Sequence, residues 1–231
     1  MEVRILHLLE GAREASGTAV IIDVYRAFST ICYLFQAGVD KVYLLGSLEK
    51  AYQMKAEDPS RILIGERGGK KCEGFDFGNS PSAIEGRNLA GKTAVFTTSA
   101  GTQGIANAVN AAKIYTGSIV NARATARQIL KENPETVSLV CMGLSGKSIA
   151  EEDELSAQYL RSLLLGHPME DIAARAQALR ATAGAKFFDP AKAEIYPAPD
   201  FACCSVPDRF DFSVRVRTEG GIHIAEKNPA L

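Results

Sequence analysis

Short β-branched runs alternate with longer helical patterns through most of the chain, and this alternation constrains the fold more than any other feature. The predicted strands cover residues 19–24, 42–45, 62–64, 93–97, 113–115 and 136–141. The predicted helices cover residues 27–37, 48–56, 101–110, 122–131, 152–165 and 169–182. Strands that alternate with helices in this way are typical of α/β folds. We therefore predict an α/β protein in which a layered sheet has helices on its faces.

The C-terminal segment differs in composition from the rest of the chain, because it is richer in proline and aromatic residues. Residues 212–217 alternate between apolar and polar side chains, which predicts an edge strand. No Ser/Gly-rich linker or low-complexity tract divides the sequence. We predict one domain over residues 1–231, with a small C-terminal appendage packed onto it.

The charge balance argues against a polyanionic partner. The 231 residues include 26 Lys and Arg against 27 Asp and Glu, so the formal net charge is -1. Without a basic excess we expect no nucleic-acid partner. The N-terminus lacks the features of a signal peptide, and no apolar run reaches membrane-spanning length. We therefore expect a cytoplasmic protein with no membrane partner. The sequence does not determine the oligomeric state, and a homo-oligomer is compatible with it.

The chain has five cysteines, and none of them forms a paired CxxC motif. The odd number and the spacing predict free thiols rather than a disulfide framework or a zinc site. The three histidines, His7, His167 and His223, likewise show no zinc-binding spacing.

A long polar loop follows the predicted strand at 62–64. It begins with GERGG at 65–69, which contains Glu66 and Arg67, and continues to GFDFGNSP at 74–81, which contains Asn79 and Ser80. Open α/β sheets usually place their ligands at the carboxyl ends of strands, where this loop begins. Carboxylate, guanidinium and flexible backbone amides together suit a metal ion and an oxyanion. The alternative is an ordinary set of turns, which glycine and Asn-Ser-Pro also favour.

A second polar segment follows the predicted strand at 19–24. The strand delivers Asp23 to its end, and Arg26, Ser29 and Thr30 follow near the start of the next helix. Hydroxyls and the positive end of a helix dipole favour an anion there. A carboxylate at the end of a hydrophobic strand is costly to desolvate unless it meets a cation. In the alternative interpretation, Asp23 caps the helix and the two hydroxyls are internal helix residues.

The strand at 93–97 also ends in hydroxyls and a glycine before a helix. Thr97, Thr98, Gly101 and Thr102 belong to this turn. Successive backbone N–H groups of such a turn can bind a phosphate. A common strand-to-helix turn capped by a hydroxyl is the alternative.

The segment after the strand at 136–141 ends in Gly146-Lys147-Ser148, but its spacing excludes a phosphate-binding P-loop. The required earlier glycine is replaced by Cys141. A cysteine-phosphatase loop is also disfavoured, since Lys147 stands where such a loop uses arginine. An acidic run at 151–154 then opens a helix, where the dipole alone favours acids, yet one member such as Asp153 could turn inward as a metal ligand.

Three of these strand ends therefore offer carboxylates: Asp23, Glu66 and an acid near Asp153. Such hard oxygen ligands suit Mg²⁺. Arg26, Arg67 and the Thr/Ser/Gly turns would then bind the oxygens of a phosphoryl group, as phosphoryl transfer requires.

Together these motifs resemble the 2-phosphosulfolactate phosphatase (ComB) family. The resemblance rests on DVYRA at 23–27 with the hydroxyls at 29–30, the GERGG and GFDFGNSP blocks, the Thr-Thr and Gly-Thr pairs at 97–98 and 101–102, and the Glu-Asp pair at 152–153. It extends to DFAC at 200–203. The long block from GERGG to Asn-Ser-Pro is its most specific part.

The resemblance implies a ComB-like fold and a Mg²⁺-dependent phosphatase that converts 2-phosphosulfolactate to sulfolactate and phosphate, a step toward coenzyme M in organisms that make it. It implies Asp23, Glu66 and Asp153 as metal ligands, with Arg26 and Arg67 neutralising charge on the phosphate. Either water or Asp23 could attack phosphorus. An aspartyl phosphatase of the haloacid-dehalogenase type has a second Asp two positions after the first. This chain has Tyr25 at that position, which argues against that class.

The substrate could be another phosphorylated hydroxy acid, because Phe28 replaces the small hydroxyl residue usual in the family and would narrow the pocket. A non-catalytic binder of anionic metabolites or nucleotides, built on the same glycine turns, is the alternative function.

Overall fold

The computed structural model describes residues 1–228, and within them a mixed sheet with helices on both faces confirms the α/β class. The strands are β1 Glu2–His7, β2 Gly17–Ile22, β3 Lys41–Leu44, β4 Ile62–Arg67, β5 Lys70–Lys71, β6 Thr93–Thr97, β7 Ala111–Gly117, β8 Thr136–Cys141, β9 Ser213–Glu219 and β10 Ile222–Asn228. Their order in the sheet is β1-β8-β2-β7-β9-β10-β3-β6-β4-β5.

Helices follow most of the strands. They are α1 Leu8–Glu14, α2 Ala27–Gln36, α3 Leu48–Glu57, α4 Pro81–Ile84, α5 Gly101–Asn107, α6 Ala122–Glu132, α7 Glu151–Leu164, α8 Ile172–Ala178 and α9 Ala198–Ser205. Within residues 1–228 none of them combines the length and apolar character needed to cross a bilayer. All five cysteines are buried free thiols, as predicted.

One predicted helix is shorter than expected. The pattern at 169–182 predicted a continuous helix, but α8 ends at Ala178 and a 3-10 turn, Leu179–Ala181, replaces its last part. The carbonyl of Leu179 accepts hydrogen bonds from the backbone N–H groups of Thr182 and Gly184, at 3.0 and 2.7 Å. These bonds close a tight turn instead of continuing the helix.

The strand predicted at 212–217 is confirmed as β9, but its predicted place at the edge is wrong, because the C-terminal strands lie inside the sheet. β9 pairs with β7 on one side and with β10 on the other, and β10 pairs with β3, all antiparallel. Val214 and Val216 are buried, whereas Arg215 is exposed and Arg217 is partly exposed. A strand with one open face alternates like an edge strand even when it has a neighbour on each side. The segment thus joins the two halves of the sheet instead of forming an appendage.

The two halves of the sheet run in opposite directions. Strands β1, β8, β2 and β7 are parallel to one another, and so are β3, β6 and β4. Neighbouring strands rotate by roughly 20–25°, so the six steps from β2 to β4 accumulate roughly 120–150°. This rotation largely offsets the opposite strand directions of the two halves. The carboxyl ends of β2 and β4 can therefore reach the same cleft.

The core places α2 inside the curve of the sheet. Every residue of α2 from Ala27 to Phe35 is buried, which is typical of a helix surrounded by protein. Strand β2 is buried on both faces: Ala19 and Ile21 contact the cluster around α2, whereas Val20 and Ile22 contact α6 and α7 on the other side. The residue after this strand, Asp23, therefore emerges between two apolar layers.

Candidate active site

The carboxyl ends of β2, β4, β6 and β8 open into one cleft with a volume of about 170 Å³. The sequence-predicted residues that line it are Asp23, Arg26, Glu66, Asn79 and Asp153. Three acids from separate parts of the chain therefore meet, as the sequence analysis expected. The cleft is lined further by Tyr25, Gly68, Gly69, Ser99, Ala100, Gly143, Leu144, Ser145, Glu152 and Tyr196.

Asp23 lines the cleft and is 8% exposed. Its Oδ1 accepts a hydrogen bond from the backbone N–H of Ala27 at 3.1 Å, so it caps α2 as well as facing the cleft. Burial, followed by repulsion from Glu66 and Glu152, raises the pKa of Asp23 to about 6. Gly101 leaves room for this carboxylate, because a Cβ at that position would lie 3.0 Å from Asp23 Oδ2.

Asp153 stands beside Asp23, and both of its carboxylate oxygens accept backbone hydrogen bonds. Oδ1 accepts from Val24 at 2.9 Å, and Oδ2 accepts from Gly143 at 2.8 Å. Burial and the nearby charges of Asp23 and Glu152 raise the pKa of Asp153 well above its usual value. Asp153, in the first turn of α7, is thus fixed to the residues that follow β2 and β8.

Glu66 approaches from the other half of the sheet. Its Oε2 accepts from the backbone N–H of Gly69 at 2.6 Å, and its Oε1 accepts from that of Ser99 at 2.7 Å. Gly65, with φ of +153°, makes this approach possible, since a Cβ there would lie 2.1 Å from the carbonyl oxygen of Thr97. A larger residue would push β4 away from β6 and withdraw Glu66 from the cleft.

Glu152 is a fourth buried acid of the cleft, and it was named in the sequence analysis only as part of a motif. It is 5% exposed, and burial raises its pKa, although Lys186 opposes this shift from 3.7 Å. Lys186 lies over the ring of Tyr25, 5.4 Å from the centroid, and over that of Tyr196 at 5.5 Å. These contacts place the ammonium behind the wall of the cleft, beside Glu152.

Arg26 is the positively charged residue among the described lining of the cleft, and an ion pair with Asp200 fixes its side chain. Its Nη1 donates to Asp200 Oδ2 at 2.6 Å, and its guanidinium lies over the ring of Tyr196 at 5.0 Å. Arg26 is 3% exposed and Asp200 is fully buried. The other oxygen of Asp200 accepts from the hydroxyls of Ser80 and Ser82, at 2.8 and 2.6 Å. Sequence reasoning gave Asp200 no role, and only the motif at 200–203 pointed to it.

Asn79 faces the cleft, and its neighbours support it from behind. Thr30 Oγ1 lies 2.9 Å from both Asn79 Oδ1 and the carbonyl oxygen of Arg26, and its one proton can be donated to either. Ser80 contacts Asp200 instead of lining the cleft. Ser29 lies deeper still, bonded to the carbonyl of Val24 at 2.8 Å. Thr30, Ser80 and Ser29 were predicted to bind substrate, and the structure places them as supports of the residues that line the cleft.

The turn after β6 is held by its own hydroxyls. Thr102 N–H donates to Thr98 Oγ1 at 3.3 Å, and Thr98 N–H donates to Thr102 Oγ1 at 3.2 Å. Thr97 Oγ1 accepts from Nη2 of Arg67 at 2.8 Å, and Nη1 of Arg67 donates to the carbonyl of Glu66 at 2.6 Å. The three threonines and Arg67 do not belong to the described lining of the cleft.

The donors of the cleft fit a hard divalent cation. Asp23, Glu66, Glu152 and Asp153 supply carboxylate oxygens, and each oxygen that accepts one backbone hydrogen bond keeps a further lone pair. Oxygen ligands of this kind suit Mg²⁺. Burial raises the pKa of Asp23, Glu152 and Asp153, so a bound cation would favour their ionised forms.

The same chain matches a family model described as 2-phosphosulpholactate phosphatase over residues 4–193. It belongs to that family. A relative from Carboxydothermus hydrogenoformans, named probable 2-phosphosulfolactate phosphatase, is 39% identical over 165 residues, or 71% of this chain and 68% of that protein. One of the same name from Caldicellulosiruptor saccharolyticus is 40% identical over 151 residues, or 64% of this chain and 62% of that protein. Another, from Bacillus subtilis, is 26% identical over 210 residues, or 90% of each chain.

Membership of the 2-phosphosulpholactate phosphatase family confirms the resemblance seen in the sequence. The matched region contains Asp23, Glu66 and Asp153 but ends before Tyr196 and Asp200. In this family member the segment after residue 193 therefore completes one wall of the cleft.

Phe28 marks one expectation that the structure overturns. The sequence analysis expected it to narrow the pocket, but its ring is fully buried and does not line the described cleft. Its Cζ lies 3.0 Å from the position of a Cβ at Gly101. Phe28 therefore packs beneath the turn that adjoins Asp23, because α2 is buried on all sides.

Proposed function

We propose that this protein is a Mg²⁺-dependent phosphatase that hydrolyses 2-phosphosulfolactate, or a related phosphorylated hydroxy acid, to the hydroxy acid and phosphate. The observation that carries the proposal is the meeting of Asp23, Glu66 and Asp153 in one buried cleft beside Arg26. Membership of the family and the names of its relatives support the reaction and the substrate class.

Charge explains why a cation belongs in this reaction. A phosphorylated acid carries several negative charges, and four carboxylates line the cleft against a single cationic side chain among its described lining residues, Arg26. Like charges a few ångströms apart in a poorly solvated site repel strongly. A bound Mg²⁺ would neutralise the carboxylates and polarise the phosphoryl oxygens.

The chain itself orients the ligands for this cation. Backbone N–H groups of Ala27, Gly69 and Gly143 fix the carboxylates of Asp23, Glu66 and Asp153 respectively. A carboxylate held by backbone donors loses little conformational freedom when it binds a cation. The three acids are therefore proposed as the protein ligands, with Glu152 at the same wall.

Arg26 is proposed to bind the oxygens of the phosphoryl group. A guanidinium has five N–H donors, and the bonds to Asp200 and to the carbonyl of Gly69 use two of them. The remaining donors can stabilise negative charge that develops on the phosphoryl oxygens during attack by water. Asp200 fixes the orientation of the guanidinium and is not proposed to touch substrate.

Arg67 is proposed as a positioning residue. Its nitrogens bond to Thr97 Oγ1 and to the carbonyls of Glu66 and Gly46, which ties the GERGG segment to the end of β6. It would then affect phosphate binding through the placement of Glu66, and this role replaces the direct contact with phosphate that the sequence suggested.

An assay of phosphate release tests the proposal. The purified chain is given 2-phosphosulfolactate and a panel of phosphorylated hydroxy acids, with Mg²⁺ or with EDTA. We expect turnover that needs Mg²⁺ and falls at least ~100-fold in Asp23→Asn and Glu66→Gln, since several kcal/mol of charge stabilisation are lost. The exposed variant Asp40→Asn is the matched control. Tight binding of the panel without any turnover would support the non-catalytic binder instead.

A further inference from the structure

A second cluster of metal-ligating side chains lies at the ends of β1 and β8. His7 and Cys141 are register partners in this parallel pair, so their Cα atoms are neighbours across the ladder. Glu154, in the first turn of α7, reaches the same place from the helix layer. One nitrogen of His7, the sulfur of Cys141 and one oxygen of Glu154 all lie within 4.8 Å of one another.

The donor atoms of this cluster have few other partners. Glu154 Oε1 is shielded from solvent, and its close polar contact is with His7 Nε2 at 2.8 Å. The thiol of Cys141 is buried and has a weak bond, 3.5 Å long, to the carbonyl of Asp153.

We propose that His7, Cys141 and Glu154 form a binding site for a thiophilic divalent cation of the Zn²⁺ class, separate from the carboxylate cleft. Imidazole, thiolate and carboxylate are the three ligand types that Zn²⁺ accepts, and water would complete a tetrahedron. On binding, the Cys141 thiol releases its proton to solvent and the sulfur lone pair forms the bond to the metal.

The geometry needs small side-chain movements only. In a tetrahedral site with these ligands the donor atoms lie about 3.3–3.6 Å apart. The pair formed by His7 and Glu154, 2.8 Å apart, must therefore open slightly, and the sulfur of Cys141, within 4.8 Å of both, must reach the same separation. Both partners can move, because the side chain of His7 is 40% exposed and that of Glu154 is 26% exposed. The exposed edge of His7 also gives the cation a path from solvent.

The site is distinct from the proposed Mg²⁺ site although it adjoins it. None of His7, Cys141 and Glu154 belongs to the described lining of the cleft. Magnesium binds oxygen ligands in octahedral geometry and has little affinity for thiolate, so the two cations would be sorted by ligand type. This inference does not depend on the phosphatase activity.

Cobalt(II) reports on such a site, because its bond to a thiolate gives a charge-transfer band in the near ultraviolet. The folded, reduced full-length chain is titrated with Co²⁺ in excess Mg²⁺, which occupies the oxygen ligands. We expect the band to saturate at a single equivalent per chain and to disappear when Zn²⁺ is added. A folded wild-type chain that shows no band would overturn the proposal.

Variants identify the ligands. Cys141→Ser should abolish the band, and His7→Gln should weaken Co²⁺ binding by ~10-fold or more, since a ligand is worth at least as much as the groups that support it. His7→Gln removes a partly exposed side chain and decides the matter even where the buried variant Cys141→Ser does not fold. Cys203→Ser and His223→Gln are the matched controls and should leave the band unchanged. A band that survives Cys141→Ser would contradict the assignment. So would a His7→Gln variant whose Co²⁺ binding is weakened by less than ~10-fold.

Discussion

The guanidinium of Arg26 donates to the carboxylate of Asp200 at 2.6 Å, although 174 positions separate the two residues in the chain. Both are buried, and the second oxygen of Asp200 holds the hydroxyls of Ser80 and Ser82. One carboxylate thus connects the end of β2, the GFDFGNSP block and the C-terminal helix α9. The pair links the stability of the cleft to the C-terminal segment.

Removing the charge of Asp200 should destabilise the fold strongly. We expect Asp200→Asn to lower the free energy of unfolding by about 3–5 kcal/mol, because it removes the ion-pair partner that holds the buried guanidinium of Arg26. Urea unfolding measures the change, with the exposed variant Asp211→Asn as control. The double variant Arg26→Met with Asp200→Leu should lose less than the sum of the two single changes. Additive losses would show that the pair is not coupled.

The carboxylate cluster should make the Mg²⁺-free protein less stable as the pH rises. The pKa of Asp23 is raised from 3.8 to about 6, so the folded state binds this proton more tightly than the unfolded state. The bound proton stabilises the folded state by roughly 3 kcal/mol below about pH 4. This stabilisation is lost as the pH rises through about 6. Asp153, whose pKa is also raised, titrates together with it. Thermal melts between pH 4 and pH 8 without Mg²⁺ measure the effect.

Asp23→Asn should act in opposite directions with and without the cation. The amide oxygen can still accept from Ala27 N–H, while the unfavourable buried charge is gone, so we expect a higher melting temperature without Mg²⁺. Stabilisation by Mg²⁺ should fall sharply, because a ligand is lost. Asp40→Asn should change neither quantity. Equal Mg²⁺ stabilisation in the wild type and in Asp23→Asn would remove this residue from the ligand set.

A single methyl group next to Asp23 should harm activity more than folding. A Cβ at Gly101 would lie 3.0 Å from Asp23 Oδ2 and 3.1 Å from Ala27 Cβ, so Gly101→Ala must displace the carboxylate. We expect kcat to fall by up to ~100-fold, since such a shift misaligns the reacting groups. Gly78→Ala, whose Cβ would lie 3.4 Å from the Lys71 side chain, is the control. Full activity of Gly101→Ala would mean that Asp23 tolerates displacement.

The stereochemistry at phosphorus should distinguish the two nucleophiles. Asp23 already accepts from Ala27 and lies against Gly101, so we expect attack by water. One direct displacement inverts a phosphoryl group made chiral with oxygen isotopes, whereas a covalent aspartyl intermediate gives retention through two displacements. Retention would show a covalent intermediate and would contradict direct attack by water.

The sequence predicted the parts of the site that follow strands, because apolar runs and the polar residues after them are local signals. Asp23, Glu66 and Asp153 were found in this way, and all three line the cleft. Local signals do not show which polar residues face inward. Ser29 and Thr30 follow the same strand, but they lie on a helix that is buried on all sides.

Long-range pairing explains what the sequence did not predict. The central place of β9 and β10 depends on partners in β7 and β3, which lie far away in the chain. The role of Asp200 depends on its contacts with Arg26 and Ser82, again from distant segments. No periodic pattern near residue 200 reports such contacts.

Anomalous X-ray diffraction from crystals grown with Mn²⁺ in place of Mg²⁺ tests the central claim most directly. The account predicts a single strong anomalous peak inside the cleft, with oxygens of Asp23, Glu66 and Asp153 close enough to coordinate the ion. A peak elsewhere on the molecule, with these three carboxylates turned away from any cation, would contradict it.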